Sequence, residues 1–168
     1  MKSGVVKVTA QPVETSRWQR KFESHIKQKN VQRMIHEVYA EMTNRRYTPY
    51  KEGGLVGSTK VTDKYISWGN GKVPYAHYLY QGEVYGPNIP IGRKPNPYKE
   101  GWKAGDVTAW YSPKGMTKYP TGRPLIYNRT HNKLAQHHWD LAVARNDMLS
   151  YKRNVTIWMK KIAQEEGW

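Results

Sequence analysis

The sequence has no cysteine and a single phenylalanine among its 168 residues. The missing thiols exclude disulfide bridges, zinc–thiolate sites and thiol catalysis. Only 38% of the residues are hydrophobic, tyrosine included, and the mean hydropathy is −0.89. The 7 tryptophans and 13 tyrosines must therefore supply much of the core volume, and such side chains are also common at interfaces. We expect a small core whose remaining aromatic surface is buried against neighbouring chains.

Acidic residues are scarce as well, with 13 Asp and Glu against 28 Lys and Arg and a net charge of +15. A protein this basic meets polyanions readily, whether nucleic acid, an acidic membrane or an acidic protein surface. The charge is spread evenly, with 14 basic residues in each half of the chain, whereas a DNA-reading module usually concentrates it on one element. Solvated faces are therefore the plainer interpretation.

Long apolar runs are also absent. No stretch is apolar enough to span a bilayer, and the first residues lack the apolar segment of a secretion signal. We therefore expect a protein that is made in a cytoplasm and has no membrane partner. The length fits one domain with a core that needs no covalent staples.

Apolar residues recur at helical spacing in two parts of the chain. The first part, about 16–44, predicts a long N-terminal helix, bent or broken near Asn30, and its apolar residues are Trp18, Phe22, Ile26, Val31, Ile35, Val38 and Met42. The second part predicts a closing helix that reaches about residue 165, and its apolar seam consists of Met148, Tyr151, Val155, Trp158 and Ile162.

Alternating patterns predict an antiparallel sheet between these helices. Short strands are predicted at 4–10, 56–62 and 64–69. The Gly69-Asn70-Gly71 sequence is a hairpin signal, because Asn and Gly tolerate positive φ, and it leads into a further predicted strand over 72–82. The expected fold is thus α+β: an antiparallel meander packed by a long N-terminal helix and a C-terminal helix, with a long arm.

We expect a single domain over residues 1–168, in four parts. These are an N-terminal strand and helices in 1–48, the antiparallel sheet in 49–85, an extended arm in 86–129, and a C-terminal segment and helix in 130–168. The arm contains seven of the ten prolines and six glycines, and eight basic residues against two acids. We expect it to be irregular alone, with short strands near 106–111 and 123–127, and ordered against partners.

The aromatic and basic residues of the arm are candidates for an intersubunit interface, namely Tyr98, Trp102, Trp110, Tyr111 and Arg123. The same mixture of aromatic and basic residues could stack bases and hold phosphates. A nucleic-acid-binding module that uses 86–129 is therefore the alternative function.

No catalytic constellation stands out in the sequence. His131, His137, His138 and Asp140 are close along the chain, but adjacent histidines on a strand or helix point apart, which disfavours a zinc site. Glycines 53, 54 and 57 lack the Lys and the strand-to-helix context of a phosphate-binding loop. We predict a protein that is not an enzyme and has no cofactor and no metal.

Several blocks of sequence resemble a family of bacteriophage minor capsid proteins, which are similar to the neck and tail-completion proteins of long-tailed phages. The blocks are PYKEGGLVGS (49–58), VPYAHYLYQGEVYGPNIPI (73–91), WYSP (110–113) and TGRPLIY (121–127), followed by Trp139 and a closing helix. One departure is that the usual Pro-Val-Asp-Thr-Gly-x-Leu turn reads PYKEGGL in this chain. The family has no catalytic residues.

The resemblance implies a structural virion protein that forms a homo-oligomeric ring at the head–tail junction. The implied partners are sister copies, the neighbouring connector or head-closure protein, and the tail-terminator or tail-tube protein. DNA passing through the channel is a further implied contact. The basic charge would then face either acidic neighbours or this DNA. The ring would be assembled in the bacterial host cytoplasm.

Overall fold

The computed structural model describes residues 4–10, 28–50, 52–92, 107–111, 113 and 115–165, with the backbone alone for 28, 29, 90 and 107–110. The described residues form two compact units. The core unit comes from Met1–Gly82 together with Ile126–Trp168, and the ribbon unit is Glu83–Leu125. The predicted α+β class, with a long N-terminal helix and a C-terminal helix, is confirmed.

Every helix in the described part of the chain belongs to the core unit. They are α1 (Gln28–Arg46), α2 (Gly54–Gly57), α3 (Ala76–Gln81), α4 (Trp139–Asn146) and α5 (Met148–Glu165). The strands are β1 (Val6–Val8), β2 (Lys60–Val61) and β3 (Ile66–Trp68) in the core unit, and β4 (Glu83–Gly86), β5 (Ile89–Gly92), β6 (Val107–Tyr111) and β7 (Tyr119–Pro124) in the ribbon unit.

The apolar face of α1 is buried as its spacing predicts, at Val31, Ile35, Val38 and Met42. The helix runs to Arg46, and Arg45 and Arg46 lie in its last turn, where cations suit the negative end of the helix dipole. The predicted portion over 16–27, including Trp18, Phe22 and Ile26, lies outside the described residues.

The closing helix α5 is also confirmed, although its seam differs from the predicted one. Tyr151, Val155, Met159 and Ala163 are buried at steps of four, whereas Trp158 is 43% exposed. The prediction of Trp158 on the seam was wrong because four-residue steps from Tyr151 and Val155 continue to Met159. The Tyr151 ring packs edge-on against Tyr39 of α1, with ring centroids 5.0 Å apart.

The core unit has a three-stranded antiparallel sheet in the order β1-β3-β2. Val6 lies opposite Trp68 and Val8 opposite Ile66, while Val61 lies opposite Ile66 on the other edge. The strands predicted at 4–10, 56–62 and 64–69 are present in shorter form. The meander is not, because the N-terminal strand takes the place that residues 72–82 were expected to fill.

Residues 76–81 are the helix α3, so the predicted strand over 72–82 was wrong. The Asn70 side chain accepts hydrogen bonds from the backbone N–H groups of Lys72 and Val73, which closes a turn and redirects the chain. Buried Val73 and Ala76 then follow helical rather than alternating spacing. Gly82, with φ of 78°, ends the helix.

The largest buried side chains of the core unit are aromatic, as the composition requires. Trp139 packs edge-on against Trp68 and Tyr80, with ring centroids 6.1 and 5.1 Å apart. The polar tips of two of these rings have local partners: Trp68 Nε1 donates to Asn44 Oδ1 at 2.7 Å, and the Tyr80 hydroxyl donates to Asp140 Oδ1 at 2.8 Å. Within the described residues, Trp139 Nε1 is buried without a hydrogen-bond partner. Aromatic side chains therefore supply the largest volumes of the described core, beside smaller aliphatic ones.

The ribbon unit contains two antiparallel pairs, β4 with β7 and β5 with β6. Strands β6 and β7 lie close to the two predicted at 106–111 and 123–127. The expectation of an arm that is irregular alone is wrong for the described residues of 86–125, since their backbone pairs within the same chain. Residues 93–106, 112 and 114 lie outside the described part.

We predict that high pH destabilises the core unit through Tyr39. Its hydroxyl donates to the backbone oxygen of Asp140, and burial, followed by the charge of Asp140, raises the pKa of Tyr39 from 10.0 to about 12. Between these values the unfolded chain has lost the proton that the folded chain keeps, so the free energy of unfolding falls as pH rises. This contribution is fully present below pH 10.0 and is lost on passing about 12.

Urea unfolding between neutral pH and pH about 12 measures this effect. Tyr39→Phe should lower the free energy of unfolding at neutral pH by about 1 kcal/mol, because one hydrogen bond is lost. It should also make the alkaline fall shallower, whereas Tyr75→Phe, at an exposed tyrosine, should keep the wild-type slope. An unchanged slope in Tyr39→Phe would contradict the prediction.

Candidate interaction surface

The ribbon unit has an exposed apolar face on its β5–β6 pair. Ile89 lies directly opposite Tyr111, and Ile91 lies opposite Ala109. Directly opposite residues of an antiparallel pair share a face, as do residues two apart on one strand. Ile89, Ile91 and Tyr111 therefore form one stripe, and they are 50%, 46% and 52% exposed. We call these three residues the apolar stripe.

The β4–β7 pair is held by polar contacts at one end. The Thr121 hydroxyl donates to the Val84 carbonyl at 2.6 Å, and Lys118 Nζ donates to the Pro87 carbonyl at 2.9 Å. A Cβ on Gly86 would approach Thr121 Cγ2 to 3.1 Å, so the close pairing favours glycine there. Tyr119, opposite Gly86, is 56% exposed. This pair adds a second exposed aromatic ring to the same unit.

The ribbon unit has no buried hydrophobic residue among those whose side chains the structure describes. The buried hydrophobic residues in the described part of the chain all belong to the core unit, while five large hydrophobic side chains of the ribbon unit are exposed: Ile89, Ile91, Tyr111, Met116 and Tyr119. A two-stranded ribbon is marginally stable in water by itself. The geometry is thus typical of an element that another chain covers.

The five predicted interface residues are placed unevenly. Tyr98 and Trp102 lie outside the described residues. The backbone of Trp110 lies in β6 opposite Pro90, Tyr111 lies on the apolar stripe, and Arg123 is an exposed residue of β7. The structure therefore brings Tyr111 together with residues that the sequence analysis did not select. The signal for Ile89 and Ile91 was their alternation around Pro90.

The polar residues considered for chemistry do not converge on one point. The His131 ring contacts the Tyr50 ring, with centroids 4.6 Å apart, and the Asp140 carboxylate accepts from Tyr80. His137 and His138 do contact each other, with their Nδ1 atoms 2.7 Å apart. The expectation that these two side chains point apart was wrong, because His138 has a left-handed backbone with φ of 44°. Among the described residues, no group of three metal-ligating side chains occurs.

Comparison with known proteins gives no relative, since no family model, curated protein or solved structure matches this chain. Within the described ranges, no helix has both the length and the apolar character needed to cross a membrane. The exposed stripe on the ribbon unit is consequently the feature from which we infer function.

We predict that Ile89→Ser/Tyr111→Ser reduces self-association of the purified chain and leaves its thermal stability unchanged. Both side chains are about half exposed, so their removal costs little core packing, but it removes apolar area that an interface would bury. Sedimentation velocity measures the association. The matched control is Ile126→Ser/Tyr75→Ser, which changes the same residue types at exposed positions of the core unit. Equal association of the two variants would contradict the assignment of the stripe.

Proposed function

We propose that this chain is a structural protein of a tailed bacteriophage virion, which forms a ring at the head–tail junction as a neck or tail-completion component. The observation that carries the proposal is the apolar stripe Ile89, Ile91 and Tyr111, exposed on a ribbon without described buried hydrophobic residues. The resemblance of YAHYLYQG and TGRPLIY to blocks of phage minor capsid proteins supports the same function.

In the proposed ring, the ribbon of each subunit packs on the next copy. Heterologous contacts of this kind close into a ring when their rotation is an integral fraction of a turn. Fully burying an isoleucine side chain contributes roughly 1.5–3 kcal/mol, so burial of the apolar stripe would contribute substantially to the free energy of subunit association. Neighbouring connector and tail proteins then bind the faces of the ring, and DNA passes through its channel.

Nucleic-acid binding through segment 86–129 is the second candidate function. It is favoured by the excess of basic residues in that segment, eight against two acids. The two functions differ in their response to salt. Subunits with a charge of +15 repel one another, and salt screens this repulsion, so ring assembly through apolar contacts should strengthen as salt rises. Binding to nucleic acid should weaken, because it depends on counterion release.

We predict that rings become more abundant from low to moderate salt in electron micrographs of the purified chain. Ile89→Ser/Tyr111→Ser should remain dispersed at every salt concentration, and Ile126→Ser/Tyr75→Ser should form rings like the wild type. A parallel gel-shift series with duplex and single-stranded DNA tests the second function. Tight, salt-sensitive DNA binding by a chain that stays dispersed at all salt concentrations would favour nucleic-acid binding over the ring.

The position of the protein in the particle is a separate prediction. Gold-labelled antibody raised against this chain should decorate purified virions at the junction of head and tail. Label spread over the capsid shell would move the function to decoration of the shell. Particles without label would contradict a structural role in the virion.

A further inference from the structure

The core unit has an open pocket of about 450 Å³ beside the C-terminal end of α1. Three parts of the chain form it: the end of α1, the segment 129–136 and the junction of α4 with α5. The lining residues are Arg46, Tyr47, Arg129, Lys133, Leu134, Gln136, Asn146 and Asp147. We call this the basic pocket.

The walls of the basic pocket are fixed by buried hydrogen bonds. The Asn132 side chain, which is 8% exposed, donates to the backbone carbonyls of Asn44 at 2.8 Å and Thr48 at 2.6 Å. The backbone N–H of Gln136 donates to the Tyr47 carbonyl at 3.2 Å. These bonds hold segment 129–136 against the end of α1, so a ligand would meet a preformed site and lose little free energy in ordering it.

The charges of the basic pocket are not balanced. The Asp147 carboxylate accepts from Arg46 at 2.6 Å through one oxygen and from the Tyr47 hydroxyl through the other. This acid is therefore already engaged. Arg129 Nε donates to the Ala135 carbonyl at 3.4 Å, which uses one of five guanidinium donors. Among the described residues, no carboxylate forms a salt bridge with Arg129 or Lys133.

The shape of the pocket favours a carboxylate from a protein over the phosphates of a nucleic acid. The Tyr47 ring is 1% exposed and offers no face on which a base could stack. A duplex presents its phosphates on a convex surface, which does not enter a concave pocket. Leu134 is a lining residue that is 48% exposed, and it suits an aliphatic neighbour of the carboxylate.

We propose that the basic pocket binds an acidic peptide segment of a partner protein, with a Glu or Asp carboxylate between Arg129 and Lys133 and an adjacent aliphatic side chain against Leu134. A second copy of this chain is the less suitable occupant, since it has only 13 acidic residues against 28 basic ones and so offers few acidic segments. The site lies in the core unit, apart from the apolar stripe in sequence and in chemistry. It therefore does not depend on the ring.

The test is a titration of the ¹⁵N-labelled full chain with the peptide acetyl-Glu-Leu-Asp-Leu-Glu-amide, followed by two-dimensional NMR. The backbone signals of Lys133–Gln136 and Asn146–Met148 should shift. The neutral peptide acetyl-Gln-Leu-Asn-Leu-Gln-amide should shift none of them. Shifts caused equally by both peptides, or confined to other residues, would overturn the proposal.

Variants separate a specific site from general charge attraction. Arg129→Gln/Lys133→Gln should weaken peptide binding about tenfold or more, because two charge-assisted contacts are lost. Lys64→Gln/Lys72→Gln removes the same charge at exposed positions outside the pocket lining and should leave the affinity near that of the wild type. If both variants weakened peptide binding equally, the binding would depend on net charge alone, and the proposed site would be overturned.

Two further measurements complete the test, one on a single variant and one with DNA. Lys133→Gln alone removes no hydrogen bond within the described structure, so it should weaken binding without any change in thermal stability. A short DNA duplex that shifts the pocket signals when the acidic peptide does not would overturn the protein partner in favour of phosphate. Ring assembly is measured separately on the same variants and should be unaffected, so failure of the pocket would leave the ring proposal standing.

Discussion

The packing of Trp139 against Trp68 and Tyr80 is the contact on which the core unit depends. The three rings belong to α4, β3 and α3, so a single aromatic cluster joins the C-terminal helices to the sheet and to the segment before the ribbon unit. Both tryptophans are fully buried. They are the largest fully buried side chains of the described core, and large-to-small changes at such positions cost several kcal/mol, roughly 3–5 for Trp.

An aromatic core imposes a second constraint, since a buried polar tip without a partner is costly, and among the described residues Trp139 Nε1 has no hydrogen-bond partner. The other tips of the cluster are bonded. Asp140 meets much of this need: its carboxylate accepts from Tyr80 and its backbone carbonyl accepts from Tyr39. Burial and the neighbouring carboxylate raise the pKa of Tyr80 well above its usual range, which keeps the hydroxyl a donor. In the same way, the Asn44 side-chain oxygen accepts a hydrogen bond from Trp68 Nε1.

The sequence correctly predicted those elements whose apolar residues have the spacing of a single type of secondary structure. The spacing of Val31, Ile35, Val38 and Met42 predicts a helix, and the β-branched residues of Val6–Val8 predict the strand β1. Residues 72–82 misled because tyrosine is compatible with both patterns, and the outcome was decided by the Asn70 turn, a side-chain hydrogen bond that periodicity does not register. Likewise, the contact between His137 and His138 depends on one left-handed residue.

The candidate surface likewise contains residues that the sequence predicted and residues that it did not. Tyr111 was predicted from its aromatic character, whereas Ile89 and Ile91 were not selected although they alternate around Pro90, and strand register then placed them on the face of Tyr111. The basic pocket was not predicted at all, since its residues come from stretches about 85 positions apart in sequence that Asn132 brings together. Long-range contacts of this kind carry no local signal.

Within the core unit, two residues on either side of segment 83–125 in the sequence donate to carbonyls of α3. Gly82 ends that helix, and its backbone N–H donates to the Tyr78 carbonyl. On the returning side, the Tyr127 hydroxyl donates to the Leu79 carbonyl at 2.6 Å, within the same helix. Gly82 and Tyr127 therefore both bond to α3 within the core unit, although 83–125 separates them in sequence, and such neighbouring positions are where an inserted segment is tolerated best. Folding of the aromatic core and the proposed assembly through the ribbon can thus be met by separate parts of one chain.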